Sequence, residues 1–241
     1  MKNQSFKMSI YFMGHKFFSG LIVIGLIAVF TGCTDQRKTI LFLGDSISAG
    51  DGVDAKYTYP ALLEWRLGDI KVINQGRSGW STDSYIDRWK EVEDEFPSRA
   101  DIIFIQLGAY DLRVHGHDDS TITICMENMK VILRKIKNHF PNAEIVLMSS
   151  TKMDPAAMDE GMKEVGFGQW TNQYLSRIGE GYSIIASDNY CHFIDLHRVV
   201  PMSTTDDGTH LNKNGHQIAA DVIIRFLSEL MNSKKGNGEI N

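Results

Sequence analysis

Two short stretches, far apart along the chain, hold the residue types that could do chemistry. The first is Gly44, Asp45, Ser46, Ile47, Ser48, Ala49, Gly50, which sets a serine on a glycine-flanked turn. Such a turn between a strand and a helix exposes the serine Oγ and aims its backbone N–H where an anion would collect. The second is Asp206, Asp207, Gly208, Thr209, His210, just ahead of the last helical pattern. A serine hydroxyl is a weak nucleophile near neutral pH and needs a base. Histidine serves, and a carboxylate at its other nitrogen selects the tautomer and stabilises the imidazolium. With Asp207 and His210 three apart, one turn can present base and orienting carboxylate together. A Gly-Asp-Ser turn alone could merely cap a helix, and a histidine beside an aspartate is usually a surface pair, so the argument rests on the conjunction.

These residues need a frame to meet. Residues 39–43, 71–74, 101–107, 144–149 and 191–195 are short apolar runs, bounded by polar residues or glycine, and read as buried strands. Between them lie helical patterns at 59–67, with Pro60 in the first turn, at 82–95, and at 121–140, stopped by Pro141. Two more follow. One covers about 168–188, with Trp170, Tyr174, Ile178 and Ile185 on one side; the other covers 214–231, with Ile218, Val222, Phe226 and Leu230 at i, i+4 spacing. Strands alternating with helices imply a parallel sheet covered on both faces, since each parallel connection needs a crossover. Active groups in such sheets gather beyond the carboxyl ends of the strands. No repeat or proline-rich linker divides the chain, so one domain is expected over 39–232, with a tether at 33–38 and a flexible tail at 233–241.

From residue 39 to the last helix the chain resembles the SGNH (GDSL) hydrolase superfamily. The resemblance lies in Gly44, Asp45, Ser46 followed by Tyr59, Pro60, Ala61, Leu62, Leu63, in Asn74, Gln75, Gly76, Arg77, Ser78, Gly79, and in Asp207, Gly208, Thr209, His210. It implies a flavodoxin-like three-layer α/β/α sandwich with a five-stranded parallel sheet, and a serine esterase working through an acyl-enzyme on carboxylic esters, either of acetylated carbohydrates or, as residues 59–63 resemble the lysophospholipase branch, of lipids or aryl alcohols. It further implies Ser46 as nucleophile, His210 as base, Asp207 as its partner, and the Gly79 N–H beside that of Ser46 as oxyanion donors. No metal or cofactor is needed. The competing α/β-hydrolase elbow, G-x-S-x-G, fails at Ser48 in one stretch and at Trp80 in the other.

The family's third block carries an asparagine whose amide donates to the oxyanion, but here the stretch is Gly108, Ala109, Tyr110, Asp111. Losing one such donor costs ~10²–10³ in turnover. The Tyr110 phenol can donate a hydrogen bond in its place, or it can pack on the pocket wall as a stacking surface for a sugar ring. The second possibility motivates a reading of a different class, a catalytically weakened hydrolase fold acting in carbohydrate binding.

Composition bounds the partners. The chain has 241 residues, with 25 basic and 30 acidic side chains and a net charge of −5, which excludes a binder that neutralises nucleic-acid phosphates. Residues 17–30 are almost wholly apolar, follow Lys2, Lys7 and Lys16, and lead to Thr31, Gly32, Cys33. This resembles a bacterial lipoprotein signal, with 1–32 removed and Cys33 lipidated; the alternatives are an uncleaved anchor helix, or a plain secretory signal that leaves a secreted enzyme. The lipoprotein resemblance implies a monomeric enzyme at the cell envelope, membrane-anchored through Cys33 and acting on small-molecule or polysaccharide esters. Removing 1–32 takes three lysines and no carboxylates, leaving 22 − 30 = −8. Cys125 and Cys191 then remain, expected as buried free thiols. His115, His117, Asp118 and Asp119 read as a solvated loop, not a metal site, because no complementary ligand spacing appears elsewhere. Trp80, Tyr85, Trp89 and Trp170 could line a groove or fill the core. Arg77 and Arg113 could hold an anionic substrate or pair with carboxylates.

Overall fold

A strand buried on both faces has no polar alternation, and the first strand is such a run. In β1 (Lys38–Gly44), Ile40 and Phe42 enter one hydrophobic layer while Leu41 and Leu43 enter the other, and all four are buried. A computed structural model of the chain describes residues 35–158, 160–164 and 166–238, with side chains through 233. The chain divides into two units, Met1–Asp35 and Gln36–Asn241, and every element below belongs to the second. Residues 1–32 and Cys33, the expected signal and lipidation site, lie outside the described residues.

The sheet is all parallel, in the order β2 (Ile70–Gly76), β1, β3 (Ile102–Gln106), β4 (Glu144–Met148), β5 (His192–Ile194). This is the flavodoxin-like order, which places a crevice at the carboxyl end of β1 and its neighbours. Gly44 pairs with Gly76 on one side and Gln106 on the other, so three strands end level and their following loops meet.

The helices are α1 (Ser46–Ala49), α2 (Tyr59–Leu67), α3 (Thr82–Asp87), α4 (Trp89–Asp94), α5 (Ala109–His115), α6 (Asp119–His139), α7 (Glu160–Glu164), α8 (Thr171–Asp188), α9 (Leu196–Val199) and α10 (Lys213–Gly238). Leu62 and Leu63 of α2 pack with Ala219, Ile223 and Leu227 of α10 on one face. Tyr85 of α3, Met129 and Leu133 of α6, and Leu175 and Ile178 of α8 cover the other. Each such side chain contributes ~1.5–3 kcal/mol when fully buried, and the Phe42 and Phe104 rings stack across β1 and β3 at 4.8 Å.

The structure corrects the expected helices in one place. The single helix expected over 82–95 is two, because the chain turns at Arg88, whose guanidinium lies over the Trp80 ring at 5.0 Å. Among the described residues no helix is long and apolar enough to cross a membrane. Cys125 and Cys191 are both free, Cys125 buried and Cys191 half-buried.

Candidate active site

The turn after β1 is built by local hydrogen bonds. Asp45 caps α1 by accepting the Ile47 N–H at 3.0 Å, which sets Ser46 as the first helical residue. The strand end is tied from below by Tyr85, whose Oη accepts the Gly44 N–H at 2.8 Å and lies 2.9 and 3.0 Å from the Gly44 and Gln75 carbonyl oxygens. Behind it, Ser48 Oγ is 2.6 Å from Tyr59 Oη and donates to Gln106 Oε1 at 2.9 Å. The Ser46 turn is thus fastened to the ends of β2 and β3.

The distant Asp207 and His210 reach this point on a turn closed by a bridge between Thr205 and Leu211. Gly208 gives that turn its left-handed backbone, φ +80°, and a Cβ there would meet the Asp154 carbonyl oxygen at 2.5 Å. The close approach is used, since the Asp154 N–H donates to the Gly208 carbonyl at 2.7 Å. His210 Nε2 then lies 3.1 Å from Ser46 Oγ, and Nδ1 lies 2.7 Å from Asp207 Oδ2. The other carboxylate oxygen of Asp207 accepts the N–H groups of Thr209 at 2.8 Å and His210 at 2.7 Å. Partial burial would raise the Asp207 pKa, but the N–H of His210, its imidazole and the N–H of Thr209 outweigh it and hold the carboxyl below its ordinary value. The arrangement can pass the Ser46 proton to Nε2 while Asp207 stays anionic.

Two buried groups sit behind this chain. Burial pushes the Asp45 carboxyl up to about 7, against the opposing pull of the Ile47 N–H and the His210 charge. Burial, with the His210 charge, pulls His216 down to about 4, so it stays neutral and accepts the Tyr59 N–H through Nδ1 at 3.2 Å.

Facing Ser46, Gly79 adopts φ +72°, a conformation that favours glycine. Among the described residues, neither the Ser46 N–H nor the Gly79 N–H donates to a protein acceptor. The Tyr110 ring closes the same wall, with Cζ and Oη both 3.6 Å from where a Cβ of residue 79 would lie. Tyr110 Oη accepts from Arg113 Nη1 at 2.7 Å, and the guanidinium sits 5.0 Å from the ring centroid. Ser46, Gly79, Tyr110, Arg113 and His210 line a cavity of about 190 Å³ whose remaining walls include Met153, Met162 and Phe167. A larger cavity, about 420 Å³, opens at the opposite ends of the strands beside Lys38, Ile70 and Ile102, far from any serine-histidine pair.

The remaining candidates fall elsewhere. In the loop expected to be solvated, Asp118 and Asp119 are exposed, one capping α6 and the other pairing with Arg177, while the half-buried His115 hydrogen-bonds Asp83 and His117 bonds Thr171 and packs edge-on to Phe167 and Tyr174. Asp83, Asp111 and His115 bring ligand-type atoms within 4.8 Å of one another. Their oxygens are nevertheless taken up by Thr82, Asn128 and His115 itself. Arg77 pairs with Glu95 and stacks on Trp80; Tyr85 is core, Trp89 is partly buried against it, and Trp170 is exposed away from the cavity. Sequence reasoning missed the apolar walls. Met153 follows β4, so the rule that strand ends build sites could have found it, whereas nothing local marks Met162 or Phe167.

A family model described as the GDSL-like lipase/acylhydrolase family matches residues 42–218. An arylesterase of Vibrio mimicus is 29% identical over 132 residues, 53% of this chain; the match spans 62% of that relative's length. A carbohydrate acetylesterase family member from Sinorhizobium meliloti superposes with a TM-score of 0.69 at 19% identity, covering 81% of this chain and 100% of that one. The M. smegmatis aryl esterase gives a TM-score of 0.68 at 19% identity, covering 80% and 100%. At such identity these structures establish a shared fold.

Proposed function

Because the chain belongs to the GDSL-like lipase/acylhydrolase family, the SGNH hydrolases, we propose that it is a serine esterase that cleaves short-chain carboxylic esters through an acyl-enzyme. The observation that carries this is the continuous line from Asp207 to His210 to Ser46, at 2.7 and 3.1 Å, assembled from residues 164 positions apart. His210 Nε2 takes the Ser46 proton as Oγ attacks the ester carbonyl, and Asp207 stabilises the imidazolium without itself taking the proton. The tetrahedral oxyanion rests on the Ser46 and Gly79 N–H groups, with the Tyr110 O–H as third donor. Collapse breaks the ester C–O bond, and His210 returns the proton to the departing alcohol oxygen. Water, deprotonated by His210, then attacks the acyl-enzyme and releases the acid.

Cavity size supports a short acyl group. About 190 Å³ lies below the ~300–1,000 Å³ typical of sites for drug-sized ligands, which suits an acetyl or other short acyl group. The acetylesterase and arylesterase relatives agree with this reading. The same proposal places the enzyme at the cell envelope on a lipid at Cys33, for which the support is the sequence of residues 1–33 alone.

Fluorophosphonate labelling tests the mechanism. The probe should attach to Ser46 Oγ in the folded protein, and His210→Ala should slow attachment by ~10²-fold or more. Folded protein whose Ser46 stays unmodified would overturn the esterase reading in favour of a binding role.

A further inference from the structure

We infer that Arg113 forms an anion-recognising subsite at the rim of the cavity, so that the preferred esters carry a carboxylate on their alcohol part. An O-acetylated acidic sugar is one such ester. The inference rests on the esterase reading and adds the substrate class to it.

Arg113 is the only lysine or arginine among the described residues lining the cavity that holds Ser46 and His210. The protein is acidic overall; Arg37, Arg66, Arg77, Arg99 and Arg177 each pair with a carboxylate, whereas among the described residues Arg88, Arg134, Arg198 and Arg225 do not, so what sets Arg113 apart is its place on the cavity lining. Arg113 pairs with none among the described residues. Its position is nevertheless held, by the hydrogen bond to Tyr110 Oη at 2.7 Å and by contact with the Tyr110 ring. One of five guanidinium N–H donors is used there, which leaves the planar fork that matches a carboxylate. The other ionisable side chains on the lining are Asp51, Asp45, His210 and Tyr110. Asp51 accepts a hydrogen bond from Ser78, Asp45 is buried beneath the nucleophile turn, and His210 and Tyr110 are engaged as described.

Burial separates the two sides of the substrate. Met153 and Phe167, only 3% and 6% exposed, form an apolar floor suited to the acyl group. Arg113 is exposed, so an anion it holds belongs to the part of the substrate that projects outward, the alcohol.

Hydrolysis of 3- and 4-acetoxybenzoate, compared with the neutral acetoxybenzamides of the same shape, tests this on the intact protein. The kcat/KM ratio of acid to amide should exceed one by roughly three- to tenfold at low salt, as expected for a partly exposed charge pair. It should fall toward one as ionic strength rises, a measurement that needs no variant. Arg113→Glu should take the ratio below one, whereas Arg113→Lys should keep it above one. Because the ratio cancels any general loss from disturbing Tyr110, it reports the charge. A ratio of one or less at low salt, or one that Arg113→Glu leaves unchanged, would overturn the subsite. Turnover of neither ester by the unmodified protein would overturn the esterase reading itself, and the subsite with it, a result distinct from turnover without charge preference.

Discussion

The sequence resemblance sets Tyr110 at the position of the family's donating asparagine, and the Tyr110 phenol oxygen accepts from Arg113 at 2.7 Å. That bond occupies a lone pair and leaves the O–H free, so the phenol can donate toward the oxyanion beside Gly79, and accepting from a cation strengthens the donation. Tyr110→Phe keeps the ring and removes the donor. It should lower kcat on a simple aryl acetate by about tenfold or more while KM changes little, the pattern of an interaction made only in the transition state. An unchanged kcat would show that the ring serves only as a wall. The sequence could pose this question but could not answer it, because a tyrosine on a helix's first turn can aim its hydroxyl at the site or away from it. The relation to Arg113, one helical turn on, appears only with the side chains in place.

At the scale of elements, α3 governs the position of the Ser46 turn. Ser81 and Ser84 form a capping box that starts the helix, and Tyr85, a turn later, brings its hydroxyl to Gly44 and Gln75. Thr82 on the same helix binds the buried Asp111 of α5 through its N–H at 3.0 Å. One short helix therefore holds the ends of β1 and β2 and the helix that carries Tyr110. Tyr85→Phe leaves the Gly44 N–H buried without its acceptor and should cost about 1–3 kcal/mol in urea unfolding; unchanged stability would show that another group takes over. Element boundaries were legible where the signals are local. Helix α2 occupies Tyr59–Leu67 as expected because the Thr58 cap, Pro60 and Gly68 mark both ends. The break at Arg88 has neither glycine nor proline, and it follows from the packing of Arg88 on Trp80.

Over the whole molecule, two buried groups make stability depend on pH in opposite senses. His216 has its pKa lowered from 6.5 to about 4, so between those values the unfolded chain binds a proton that the folded chain refuses. Stability is lost as pH falls through this window, by roughly 3 kcal/mol at most for a shift of this size. Asp45 has its pKa raised from 3.8 to about 7, so its contribution is full below 3.8 and is lost as pH rises to about 7. Asp45→Asn removes the second trend and retains the acceptor for the Ile47 N–H. Its unfolding free energy should therefore climb more steeply with pH than the unmodified protein's between about 4 and 6.5; parallel curves would show that Asp45 does not titrate in that range. By itself, the sequence determined what is local: buried strands read from unbroken apolar runs, the serine turn, the Asp207 and His210 spacing, and through these the family. Tertiary structure alone decided that Ser46 and His210 meet at 3.1 Å, that Met153 and Phe167 wall the cavity, and that Arg113, which pairs with no carboxylate among the described residues, sits at its rim. The reason is physical. Periodicity and capping depend on neighbours within a turn or two, whereas the meeting of strand-end loops depends on the lateral order of the strands. No single strand encodes that order.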